Sequence, residues 1–193
     1  ERSLKIDEAA YGPEDPRTAI AVSDLASVMM EQGDLVGAKA GFERVLSIEL
    51  VASGERSAEV AHALCNLGLA ASRCGEYARA RTTLERSLAL SEEAFGPQSV
   101  QSAAANSNLG VVLDAMGDYV GARTCHEEAL RVDREVYGPT HPQVALHLVN
   151  LASALKSLGT PDEAEACINQ ALDIDQAAYG PRHPQVASDL HNL

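Results

Sequence analysis

The feature that most constrains this chain is a 42-residue period. Glycine stands at 12, 54, 96, 138 and 180, and a second glycine series falls at 33, 75, 117 and 159. Together the two columns hold nine of the 14 glycines. Leucine recurs at 4, 46, 88, 130 and 172 and again at 25, 67, 109, 151 and 193, and alanine at 38, 80, 122 and 164. A unit that recurs in register at this length is one supersecondary element that cannot bury its apolar face alone, so its copies must stack. The 193 residues make four full periods, 1–42, 43–84, 85–126 and 127–168, and a partial one, 169–193, read as a single array.

Each period reads as two helices. The first carries an apolar stripe at helical spacing: Val22, Leu25, Met29; Leu64, Leu67, Ala71; Leu148, Leu151, Leu155. It stops at Gly33 and its copies, where a C′ glycine accepts a positive φ without strain. The next residue is Asp34, Glu76, Asp118 or Thr160, and Asp and Thr suit the N-cap of the second helix. Thr160-Pro161-Asp162-Glu163 has the form of a capping box with proline at N1. The second helix carries Ala38, Phe42, Leu46 and then Ala80, Leu84, Leu88. It ends at Tyr11-Gly12-Pro13 and the copies Phe95-Gly96-Pro97, Tyr137-Gly138-Pro139 and Tyr179-Gly180-Pro181. The first helix restarts at Asp15-Pro16, His141-Pro142 or His183-Pro184, so every proline falls at a helix boundary. Small residues at Ala26, Gly68, Gly110 and Ala152 let helices approach closely. The expected fold class is all-α, an α-solenoid of stacked antiparallel helix pairs with a concave and a convex side.

Charge and cysteine content narrow the function. The chain carries 15 Lys and Arg against 28 Asp and Glu, a net charge of −13. That balance argues against nucleic acid, which needs a basic face, and against an anionic membrane surface. No apolar run approaches the ~20 residues of a spanning helix, and no signal-peptide pattern is present. Cys65, Cys74, Cys125 and Cys167 show no CxxC spacing, so neither a zinc site nor a redox pair is expected; they read as small half-buried side chains in a reducing cytoplasm. Catalysis is not expected. Glu59-x-x-His62 is half of a di-iron helix motif with no second copy, and His126-Glu127-Glu128 lacks the second histidine of a zincin helix. The glycines are helix stops rather than a phosphate loop, and no metal or cofactor is implied.

Asn66-Leu67-Gly68, Gly117-Asp118-Tyr119, Ala122 and Ala129-Leu130 together resemble the tetratricopeptide repeat family. The long period and the Tyr-Gly-Pro-x-His-Pro loop are similar to the kinesin-light-chain type, which also occurs in bacterial multidomain regulators with a nucleotide-binding switch domain. The resemblance implies a right-handed superhelix and a non-catalytic scaffold that binds a protein or peptide. In the family the first helices line the concave groove, and an asparagine before the repeated leucine often reaches a bound peptide backbone. That column here reads Asp24, Asn66, Asn108, Asn150, Asn192. A carboxamide offers donor and acceptor together, and each such bond contributes about 1 kcal/mol, so several must act in a row. The same asparagines could instead bond neighbouring helices.

Helical spacing extends the expected groove to His62, Leu69 and Arg73; to Ser107, Val111 and Asp114; and to Leu146, Ser153 and Lys156, with Asn192 in the last period. These groups are mostly small, apolar or uncharged, which leaves most of the negative charge to the second helices as a solvated surface. A carboxylate clamp needs groove cations, yet its positions hold Ser23, Ser27, Asn66, Ala104 and Asn108. The expected ligand is therefore extended and weakly charged. Three positions depart from their columns. Asn106 replaces an apolar residue, and is either exposed or part of the Asn108 surface. His126 replaces Phe42, Leu84 and Ile168, and is expected half-buried with its polar tip in water. Ala52-Ser53-Gly54-Glu55 lacks the aromatic and proline of its copies, which suggests a looser loop. The chain opens on Glu1-Arg2 within a second helix and stops at Asn192-Leu193 on a first helix, as an excised piece of a longer protein would. Its stacking faces would then be open to end-to-end self-association. A regulatory segment of a larger switch protein is the other reading.

Overall fold

The computed structural model describes residues 2–192, so the expectations for Glu1 and Leu193 lie outside the described residues. Ten helices are described, in order: α1 (Arg2–Tyr11), α2 (Pro16–Glu31), α3 (Leu35–Ala52), α4 (Ala58–Arg73), α5 (Tyr77–Phe95), α6 (Val100–Ala115), α7 (Tyr119–Tyr137), α8 (Pro142–Ser157), α9 (Pro161–Tyr179) and α10 (Pro184–Asn192). No strand occurs among the described residues. The chain divides into two compact units, Glu1–Pro97 and Gln98–Leu193. Within each unit consecutive helices pack on one another. Their connections are short, so neighbours run antiparallel.

The turn from first to second helix is built the same way four times. At the end of α2 the amide of Gly33 donates to Met30 O (3.3 Å) and that of Asp34 to Met29 O (2.9 Å). This is a Schellman closure, which satisfies carbonyls the helix end would otherwise orphan. Gly33 sits at φ +85°, where a β-carbon would be strained. Equivalent bonds close α4, α6 and α8. The second helices α5, α7 and α9 end on a different glycine conformation, with Gly138 at φ 86°, ψ 161°. In two copies the tyrosine before that glycine stacks on the histidine of the loop: Tyr137 on His141 and Tyr179 on His183, each with centroids 4.6 Å apart.

Caps explain where the helices begin. Asp34 accepts from the Gly37 amide and Asp118 from the Gly121 amide. His141 and His183 act as N-caps through Nδ1, which accepts from the amides of Gln143 and Gln185. The capping box at Thr160 does not form. The Thr160 hydroxyl instead donates back to Leu155 O at 3.1 Å, and Pro161 alone starts α9. That bond satisfies a carbonyl at the end of α8, a local alternative open to any short hydroxyl side chain.

The core consists of small clusters between helix faces. Ala26, Ala38, Phe42, Leu67 and Ala70 form one in the first unit. Leu130, Val144, Leu148, Leu151, Ala164, Ile168 and Ile174 belong to a larger one in the second. The glycine approaches are real: a β-carbon on Gly68 would lie 2.5 Å from Leu84 Cγ, and one on Gly110 would lie 2.5 Å from His126 Cε1. The latter contact corrects the expectation for His126, which is 1% exposed rather than wet at its tip. Its ring fills the space Gly110 leaves, as Leu84 fills that beside Gly68. Burial, and to a smaller extent the charge of His147, lowers its pKa to about 4, so the ring is neutral. Asn106 is likewise buried, at 7% exposure, and not exposed on a distortion.

The second helices are not merely an acidic surface. Lys39 pairs with Glu76, Arg79 with Glu43 (2.5 Å) and Arg44 with Glu8 (2.7 Å), each across about one period. In the second unit Arg134 donates to Gln170 at 2.9 Å. Exposed pairs of this kind contribute at most about 1 kcal/mol apiece, but they fix neighbouring second helices in register.

Candidate functional site

The first helices set the candidate site. In the first unit a cleft of about 250 Å³ opens between α2, α3 and α4. Ile20 and Asp24 line it from α2, Glu49 from α3, and His62 and Asn66 from α4. The His62 ring meets Phe95 edge-on at 5.7 Å. Leu69 and Arg73 lie further along α4, half-buried and exposed respectively, and do not line this cleft.

The second unit repeats the arrangement. A cleft of about 210 Å³ between α6, α7 and α8 is lined by Ser107, Asn108 and Leu146 together with Ala104, Asp133 and Tyr137. Ser107 is buried, at 8% exposure, and Asn108 half-buried. Leu146 is 47% exposed and Val111 41% exposed, so both are open to contact. Asp114 and Ser153 are joined instead: the Ser153 hydroxyl donates to Asp114 Oδ2 at 2.9 Å, tying α6 to α8. Asn150, Ser153, Lys156 and Asn192 come together around a further cleft of about 370 Å³ with Ile168. Most of the expected residues thus fall into separate clefts, related by a common register rather than by contact, while Leu69, Arg73, Val111 and Asp114 line none of these.

Sequence reasoning missed the floors of these clefts. Glu49, Asp133 and Asp175 occupy one column of the 42-residue period, on the second helices, and all are buried. The signal was available. Each continues an apolar stripe at core spacing, as in Phe42, Val45, Glu49 and in Ile168, Ala171, Asp175. An acid on the buried face is rare unless something is there to meet it. For Asp133 the counterpart is His147, whose Nε2 lies 2.9 Å from Asp133 Oδ2 with both side chains buried. Burial lowers the pKa of His147, partly opposed by the Asp133 charge. For Asp175 the facing residue is Asp189, which is 0% exposed. Burial first, then the Asp189 charge and a hydrogen bond between the two carboxyls, raises the pKa of Asp175 to about 6.

Among the described residues no three His, Cys, Asp or Glu side chains come together to hold a metal ion. The four cysteines are half-buried, and burial pushes the Cys125 thiol up to about 11, which leaves it unreactive. No described helix is long and apolar enough to cross a membrane.

Comparison with known proteins identifies the repeat. The tetratricopeptide repeat family matches residues 20–93, 59–123, 101–172 and 143–193, overlapping hits that track the period. No curated protein matches the chain. Among solved structures, BtubC (BKLC) from P. vanneervenii is 28% identical with a TM-score of 0.74, over 88% of this chain and 68% of that one. A putative kinesin light chain with nearly identical TPR-like repeats from Podosopora anserina is 20% identical with a TM-score of 0.78, over 92% of this chain and 84% of that one. A second crystal structure of that protein gives the same values. The chain belongs to the tetratricopeptide repeat family, and its fold is that of kinesin-light-chain-like repeats.

Proposed function

We propose that the chain is a non-catalytic scaffold that binds an extended peptide or partner element along the concave groove formed by its first helices. Tetratricopeptide repeats generally mediate protein–protein interaction, and the finer reading rests on one observation. Asn66 in the first unit and Asn108 in the second stand at the same register position, and each lines a cleft of the same construction. A recurring carboxamide beside a recurring cleft suits a recurring ligand, and an extended backbone is the simplest of these. We further propose that the periods 1–42, 43–84, 85–126, 127–168 and 169–193 act as one array, in a cytoplasmic setting suited to sparse cysteines without CxxC spacing.

The test is a paired capture followed by mass spectrometry. One bait is residues 1–193, and the other carries Asn66→Ala, Asn108→Ala and Asn150→Ala, with circular dichroism confirming its helix content. Loss of a partner from the second bait is the expected result. Equal capture by both would move the site off the first helices.

A further inference from the structure

The cleft between α2, α3 and α4 and the cleft between α6, α7 and α8 are copies of one another, two periods apart. Glu49 in the first stands where Asp133 stands in the second, Asp24 where Asn108 stands, Glu59 where Gln143 stands and Ala63 where His147 stands. All of these residues line their clefts. In the second unit the floor acid is met from within, by His147 Nε2 at 2.9 Å, and the walls carry neutral amides. In the first unit the residue facing the acid is an alanine with no donor, and both amides are replaced by acids. Each of these exchanges removes a donor or adds a negative charge. Glu49 is 9% exposed, and its one side-chain bond comes from the Ser53 hydroxyl at the end of its own helix, which donates to Oε2 at 3.1 Å. Its Oε1 takes no bond, and neither Glu49, Asp24 nor Glu59 belongs to an ion pair, among the described residues. No lysine or arginine lines the cleft among the described residues. A carboxylate buried to this degree is costly unless a cation or several donors meet it.

We propose that the first-unit cleft receives an arginine of the protein partner, its guanidinium seated on Glu49 and flanked by Asp24 on α2 and Glu59 on α4. The inference rests on the scaffold reading above and names the chemistry of its ligand. A guanidinium presents five N–H donors in a planar fork, so it serves carboxylates that stand apart. A metal ion needs its ligands on one point, and among the described residues no three His, Cys, Asp or Glu side chains converge in that way. The space is present. With alanine in place of the imidazole the cleft measures about 250 Å³, against about 210 Å³ in its copy. Ile20, 66% exposed on α2, offers the methylene stem an apolar wall. The remaining titratable side chain of the cleft, His62, does not neutralise the floor. It is exposed, set edge-on to Phe95 at 5.7 Å, and pairs with none of the three acids among the described residues. The net charge of −13 favours the approach of a basic partner. The ligand is thus cationic at this one point, in contrast to the weakly charged one the sequence suggests.

The experiment follows the carboxyl carbons and backbone amides of residues 1–193 by NMR as a blocked Ala-Arg-Ala peptide or its citrulline analogue is added. Citrulline keeps the shape and removes the charge. The arginine peptide should bind at least about tenfold more tightly than the citrulline one, with the largest shifts around Glu49, and added salt should weaken it. Asp24→Asn together with Glu59→Gln gives this cleft the amide walls of its copy. Both positions are exposed, so the fold is kept, and the arginine preference should fall at least about threefold. Glu49→Gln and Ala63→His should each abolish it, and the exposed double variant decides the matter if either unfolds. Equal affinity for the two peptides, binding of neither, shifts centred outside this cleft, or a preference untouched by the double variant would overturn the proposal. Asn66→Ala, Asn108→Ala and Asn150→Ala together leave all three acids in place, so the arginine preference should persist. Partner loss in that triple variant without an arginine preference in the native chain therefore refutes the arginine cleft alone. An arginine preference with undiminished capture by the triple variant refutes the asparagine groove alone.

Discussion

In the unit Glu1–Pro97 the second-helix core column is filled by Phe42 and Leu84, whereas in the unit Gln98–Leu193 the same column holds His126 and Ile168. The contrast extends to other columns. Ala21 and Ala63 in the first unit correspond to Ala105, His147 and Asp189 in the second, and all five are buried. Both units keep the glycine turns, the alanine contacts and the helix lengths. The period therefore specifies backbone and spacing, and it leaves freedom in the groups that fill the interior. The second unit uses that freedom for titratable side chains. Each costs desolvation unless it stays neutral or finds a partner.

The largest effect should come from breaking the Asp133–His147 pair. His147→Ala leaves a buried carboxylate without its donor and should cost about 3 kcal/mol. Urea unfolding followed by circular dichroism measures it, and a loss under about 1 kcal/mol would show that the pair is not what sets the second unit apart.

His126→Leu makes the second unit copy the first, since Leu84 already packs on Gly68 as His126 packs on Gly110. His126 has a folded pKa of about 4 against 6.5 for a free imidazole. The unfolded chain binds the proton more tightly, so the native histidine's contribution is intact above pH 6.5 and is lost as pH falls toward 4. The variant should exceed the native protein by an additional margin of about 2 kcal/mol at pH 5 relative to pH 7. Asp175 works in the opposite sense. Its raised pKa contributes stability at low pH, and that contribution is lost as pH rises through about 6. Unfolding midpoints of variant and native chains from pH 4 to 7 check the difference, and parallel curves would mean that His126 is not buried and neutral.

Gly110→Ala and Gly68→Ala test how far the packing differs. Each adds a β-carbon 2.5 Å from a neighbour, and overpacking of this kind costs about 1–3 kcal/mol. The imidazole beside Gly110 is rigid, and Leu84 beside Gly68 has rotamers to spare, so Gly110→Ala should be the costlier of the two. Thermal melts of both variants decide the order.

The smallest effect concerns the caps. Asp34→Ala removes a side-chain bond to Gly37 and should cost about 1 kcal/mol. Thr160 makes no such bond to its helix, so giving α9 the aspartate cap of α3 and α7 with Thr160→Asp should gain stability in the second unit. A melting temperature unchanged by Thr160→Asp would show that the hydroxyl bond to Leu155 O already serves as well as a cap.

Much of this is legible in the residues. The glycine series that include 33 and 138, the prolines and the leucine columns dictate helices and turns because those choices are local: positive φ, a missing N–H, apolar spacing. The expected groove residues lie on the first helices, but most fall into separate clefts, Leu69, Arg73, Val111 and Asp114 line none of these, and Asp114 and Ser153 are bonded to one another. The failures have a common cause. Residue type alone suggests a cap for Thr160, a surface for Asn106 and a wet edge for His126, and type does not say what the facing helix leaves empty.

By itself, then, the sequence determined the period, the helix boundaries and the family, since backbone geometry answers to nearby residues. Only the tertiary structure decided that His147 meets Asp133 and that Asp189 faces Asp175. Burial and pairing depend on atoms contributed by other helices, as with Asp133 and His147, 14 residues apart. A charge column that continues an apolar stripe along one helix becomes the floor of a cleft once the next helix packs against it.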